Sequence, residues 1–142
     1  MNSACNLAID NFGLPVRNVL KKVKRSDFVC EGSLLRMEFD VTHPLAFGMS
    51  KEAATVFAES CAFEILPSFK KRQEPQSVAK YPDENPLMSG WIYGDKLLRD
   101  KSSLLDVPYG QGRIILLGFP VQYRAKPYNT FKLLFNSILF KP

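Results

Sequence analysis

A single histidine limits the chemistry open to this chain. His43 stands in "THPLAFG" and is followed by Pro44, Leu45 and Ala46. A catalytic zinc site of the peptidase type needs a His and a Glu three residues apart, a distant second His and a general-base Glu. One histidine with no H-x-x-E cannot supply that set. Cysteine-based amide hydrolysis needs its nucleophile on a strained strand-to-helix turn, flanked by glycines, with a base nearby. Cys5 in "SACNL", Cys30 in "FVCEG" and Cys61 in "ESCAF" all lack that glycine pair. Cys30, followed by Glu31 and Gly32, comes nearest. Ser89 in "LMSGW" lacks the first glycine and an evident base. No catalytic residue, no metal ligand set and no cofactor is therefore assigned.

What remains is binding. Gln122, Tyr123 and Arg124 follow the apolar run that ends at Phe119, and ligands of open α/β sheets bind beyond the carboxyl ends of strands. Arg124 can grip a carboxylate or phosphate with two parallel hydrogen bonds. His43, Gln122 and Arg124 are accordingly the candidate ligand-binding residues. The bland alternative has His43 stabilising its turn and Arg124 pinning a long loop. A second candidate is the basic run Arg17, Lys21, Lys22, Lys24 and Arg25, joined by Lys70, Lys71 and Arg72. Neither run is interleaved with aromatics as a nucleic-acid stacking platform is, so both read as solvated surface and nucleic acid is not an expected partner. "GQG" at 110–112 lacks the lysine and the spacing of a phosphate loop.

The elements that must carry these residues follow from periodicity. Cys5, Ala8, Ile9 and Phe12 share one face of a short N-terminal helix that Gly13 ends. Pro15 then opens a second helix, with Val16, Val19, Leu20 and Val23 inward and the basic residues outward. From Leu35 the period becomes two: Leu35, Met37, Phe39 and Val41 alternate with Arg36, Glu38 and Asp40, as in a strand. Strands are also expected at 55–59 (ambiguous with helix), 62–66 and 78–81, and "LMSGWIYG" (87–94) reads as buried. Residues 67–76 form a polar loop, and Asp95 caps a short helix through Leu98. Residues 103–107 and 113–119 make a hairpin around the glycine turn. Phe131, Leu134, Phe135, Ile138 and Leu139 then form the apolar face of a closing helix.

The chain has 142 residues, 46% of them hydrophobic and 23% charged, with a net charge of +5. That is enough for one domain with a core of its own. Three widely spaced cysteines argue against a disulfide framework and read as small buried hydrophobes. There is no 20-residue apolar run and no signal-peptide pattern, so a cytoplasmic location without membrane contact is expected.

Several motifs also carry a resemblance. "FGLPVRNVL" (12–20), "GSLLRMEFDVTHPLAFGM" (32–49), "LMSGWIYG" and "GQGRIILLGF", in this order, resemble the C-terminal glutamine-amidotransferase-like domain of bacterial zinc carboxypeptidase-family proteins. The resemblance implies a single α/β domain over residues 1–142, a mixed sheet flanked by helices and part of a doubly wound fold. It also implies that the family's early strands, with any nucleophile elbow, precede the residues present. A sheet without those strands has an open edge. A homodimer or domain-swapped assembly through that edge is the expected consequence, in a non-catalytic structural or interaction domain. The alternatives are a small-ligand binder or hydrolase using strand-end residues and, more weakly, nucleic-acid binding through the basic helix.

Overall fold

Alternation along one hairpin divides the molecule into two cores. The computed structural model describes residues 1–67, 74–124 and 126–140. Its elements are α1 (Ala4–Phe12), β1 (Val16–Asn18), β2 (Ser33–Phe39), β3 (Glu52–Phe57), β4 (Phe63–Ile65), β5 (Gln76–Lys80), β6 (Leu87–Ser89), β7 (Ser102–Tyr109), β8 (Gly112–Leu117) and α2 (Phe131–Leu139). Single 3-10 turns cover Pro44–Ala46, Asp95–Leu97 and Tyr128–Thr130. The strands form one eight-stranded sheet ordered β1-β4-β7-β5-β2-β3, with β6 beside β2 and β8 beside β7. The class is broadly α/β: one open sheet and two helices. Every strand pairing among the described residues is antiparallel, which corrects the mixed sheet expected from the sequence: the strands are joined by hairpins and loops, without the helical crossovers that parallel neighbours need.

Successive residues of a strand point to opposite faces, and β7 and β8 are apolar on both. Leu104, Ile115 and Leu117 join the larger core with Leu35, Met37, Tyr81 and Phe119. Leu105, Val107, Ile114 and Leu116 join a second core with Cys5, Val16, Cys61 and Phe63. α1 covers the second core, and α2 covers the first through Leu133, which is 1% exposed. The hairpin turn is the two residues Gly110–Gln111, since Tyr109 pairs with Gly112. Gly110 has φ +60°, the conformation that a two-residue hairpin demands at its first position. Gly118 is required for a different reason. A Cβ there would lie 2.7 Å from the Ser103 carbonyl oxygen and 2.8 Å from the Phe63 ring.

Much of the expected element list holds. α1 ends at Gly13 in the left-handed conformation, β2 buries Ser33, Leu35, Met37 and Phe39 in strict alternation, and 52–57 resolves as strand. Three expectations fail. The second helix does not form: Val16–Asn18 is strand β1, paired with β4 as Val16↔Ile65 and Asn18↔Phe63, and turns follow to residue 27. A ten-residue helix is marginal on its own. Here β-branched Val16 gains a sheet partner, while the Asn18 side chain accepts from the amides of Leu20 and Ala62. Residues 87–94 are not buried as a block, because Met88, Trp91 and Tyr93 are exposed. The third failure concerns which face of α2 is covered, and it bears on function.

Candidate functional site

Asp106 is the one charged side chain on the inward faces of β7, and the register of the sheet supplies its partners. Gln76 lies directly opposite on β5, and Arg113 lies diagonally across on β8, two residues before Ile115, which pairs with Asp106. His43 enters from the loop after β2. Its Nε2 is 3.3 Å from Asp106 Oδ2 and 3.2 Å from Gln76 Oε1. Arg113 donates to the same carboxylate oxygen. The Asp106 side chain is 2% exposed. Burial pushes its carboxyl above the ordinary range, although Arg113 and His43 pull it the other way. The Phe140 ring closes the cluster, 4.3 Å from the Arg113 guanidinium carbon and 5.9 Å from the His43 ring.

His43 has no free nitrogen in this arrangement. The Leu45 amide donates to Nδ1 at 3.2 Å, which fixes the proton on Nε2, and that proton faces Gln76 and Asp106. A histidine held this way neither abstracts a proton nor ligates a metal; it starts the 3-10 turn at Pro44–Ala46. Among the described residues no group of three or more His, Cys, Asp or Glu side chains could hold a metal ion. Nor does the recorded contact set of His43 include Gln122 or Arg124. Arg124 is exposed and lies over Tyr123, 5.5 Å from the ring centre, in a turn closed by the Tyr123–Lys126 bridge. Gln122 is exposed beside it.

No family model, curated protein or solved structure matches this chain. What it does must therefore be read from its own surface.

The basic run is dispersed by the loss of its helix. Arg17 pairs with Glu64, Lys21 with Asp10 and Arg25 with Glu31, while Lys22 and Lys24 are exposed. Lys70, Lys71 and Arg72 lie outside the described residues. All three cysteines are buried, as expected of small hydrophobes. Cys5 and Cys61 nevertheless sit together, donating to the carbonyls of Leu117 and Asn2 at 3.3 and 3.2 Å. The neighbouring Cys61 thiol lowers Cys5 to about 7, and the same pairing pushes Cys61 up. Burial alone pushes Cys30 up to about 11.

The most exposed apolar surface lies on α2. Its polar side chains face the protein: Asn136 Nδ2 donates to the carbonyls of Leu45 and Phe47, each at 2.9 Å, and Lys132 Nζ donates to Gly48 O at 2.7 Å. Its apolar ridge faces outward, with Phe135 60%, Ile138 70% and Leu139 75% exposed, and Phe47 at 77% beside it. The face expected inward (Phe131, Leu134, Phe135, Ile138, Leu139) is thus corrected: Leu133 is the buried anchor, and Phe135, Ile138 and Leu139 stand in solvent. That side of the helix is held to the 44–48 loop by three bonds, since the carbonyls of Leu45 and Phe47 accept from Asn136 and that of Gly48 accepts from Lys132, while those of Pro44 and Ala46 accept from the Phe47 and Met49 amides. Between loop and helix end lies a cavity of about 470 Å³ lined chiefly by Val41, Pro44, Phe47, Leu139 and Phe140.

Sequence reasoning missed Asp106, Gln76 and Arg113. The signal was present: "SSLLDVPY" puts one carboxylate in an apolar run, and a buried charge needs a partner. Among the described residues, no helix is long and apolar enough to cross a membrane.

Proposed function

We propose that this chain is a non-catalytic α/β interaction domain that docks another protein surface through the outer face of α2. The observation that carries the reading is the inverted helix, with its polar residues spent on the 44–48 loop and its apolar ridge in water. The largest apolar patch on a protein surface, about 300–600 Å² on a typical monomer, is often its functional one. The His43–Asp106–Arg113 cluster supports the reading from beneath. It immobilises the turn and Phe140, so the groove beside α2 is preformed and binding costs little ordering. The glutamine-amidotransferase-like relationship belongs to this proposal too. It rests on the motifs at 12–20, 32–49, 87–94 and 110–119, and it agrees with a domain whose role is structural.

The test is folding stability in dilute solution. Ile138→Asp and Leu139→Asp are expected to change the unfolding free energy by no more than about 0.5 kcal/mol, as surface substitutions do. A loss of several kcal/mol in either variant would place the ridge inside the folding core and end the docking reading.

A further inference from the structure

The geometry points to a second copy of this chain as the occupant of the α2 face, an inference that rests on the docking reading above. An isologous two-fold contact requires a surface that is complementary to itself, with projection and hollow on the same patch. Both are present. Phe135, Ile138 and Leu139 form the projection, and the cavity of about 470 Å³ bounded by Val41, Pro44 and Phe47 opens next to Leu139. Rotating one copy by 180° about an axis that passes between ridge and hollow brings each ridge toward the other copy's hollow.

The area is of the right size. At their exposures, Phe47, Phe135, Ile138 and Leu139 present roughly 500 Å² of apolar side chain. Tyr128, 68% exposed in the turn before α2, and the polar rim extend this toward the roughly 800 Å² per partner of a standard interface. Charge does not oppose it locally. The chain carries +5 overall, yet the only charged residue of α2 is Lys132, which is bound to Gly48 O at the edge of the helix. Two such faces meet without like-charge repulsion at their centre. The β1 edge is a poorer candidate: it has three residues with Arg17 in the middle, and such short, charged strands resist pairing.

Sedimentation velocity on the full chain, from about 1 μM to about 1 mM, tests the inference. The expected result is a monomer–dimer equilibrium in this range whose dissociation constant rises at least about tenfold in Ile138→Asp and in Leu139→Asp. Leu7→Asp, at an exposed apolar position on α1, should leave it unchanged. A monomer throughout the range would overturn the second copy while leaving docking to a different protein intact, provided the variants fold as stably as the parent. A dimer unaffected by both variants would also overturn it, by placing the contact elsewhere. Variants that unfold when dilute would instead end the underlying docking reading.

Discussion

The two helices of this protein have the same length and opposite allegiances. α1 turns Cys5, Ala8 and Ile9 toward the smaller core, as its apolar period dictates, with Asp10 and Asn11 in water beside the exposed Leu7 and Phe12, and Asn6 bonded to Asn18. α2 is the more apolar of the two, yet it inserts only Leu133 deeply and displays Phe135, Ile138 and Leu139. The difference lies in what each helix meets. α1 packs on strand side chains, which ask only for apolar area. α2 packs on the 44–48 loop, whose carbonyl oxygens lack sheet partners and take Asn136 and Lys132 instead. Of these acceptors the Leu45 carbonyl is the part-buried one, and leaving such a group unmet costs about 1–3 kcal/mol. The helix therefore keeps Asn136 against the loop.

Cutting the two faces of α2 separately should give the largest contrast. Leu133→Ala is expected to lose about 2–5 kcal/mol, the range for emptying a buried leucine site, while Leu139→Ala moves less than about 0.5 kcal/mol in dilute denaturant titrations. Comparable losses would mean that the two faces are not distinct. The polar cluster beneath α2 comes next. Asp106→Ala leaves Arg113 and His43 without their shared acceptor and should cost about 3 kcal/mol. Because burial raises the native carboxyl, the folded state holds its proton to higher pH than the unfolded chain does. Its contribution is full in acid and falls as pH rises through the native value. Asp106→Asn should flatten that part of the stability–pH curve.

The α1 side has a titration of opposite sign. Cys5 ionises at about 7 in the folded state against an ordinary value of 9.0, so between these values the unfolded chain holds more protons and stability rises with pH. The gain is lost as pH falls through about 7. Above 9.0 the raised Cys61 reverses the slope, because the unfolded chain then loses a proton that the native state keeps. Cys5→Ser should abolish the rise between 7 and 9, and a rise that persists in Cys5→Ser would assign it to another group. The smallest expected effect is on the edge of the docking face. Lys132→Met removes the donor to Gly48 O at an exposed site and should cost no more than about 1 kcal/mol in thermal unfolding.

Local signals announced most of the elements and few of the relationships between them. The Leu35–Phe39 alternation, the glycine turn of the hairpin and Gly13 as a helix stop all act within a few residues, and each holds. The helix expected from Pro15 fails because β4, 47 residues along the chain from Arg17, offers Val16 and Asn18 a sheet partner that periodicity does not register. The candidate site divides in the same way. His43 was visible as the only histidine, and its turn-stabilising role follows from Thr42–Pro44 chemistry. Gln76, Asp106 and Arg113 become a cluster only through the strand register. Gln122 and Arg124, chosen for their place after a strand, stand exposed, and Arg124 lies over Tyr123, while His43 bonds to Gln76 and Asp106.

Taken alone, the sequence determined the class of molecule: one broadly α/β domain with helices at its two ends, too poor in histidine for a zinc-peptidase centre and without a glycine-flanked nucleophile. Hydrophobic period, turn residues and residue counts are local or additive, and they survive without knowledge of the fold. Only the tertiary structure decided which side of α2 meets water. That choice goes with hydrogen bonds from Asn136 and Lys132 to carbonyls more than eighty residues away, a long-range pairing that the helix's own apolar period does not contain.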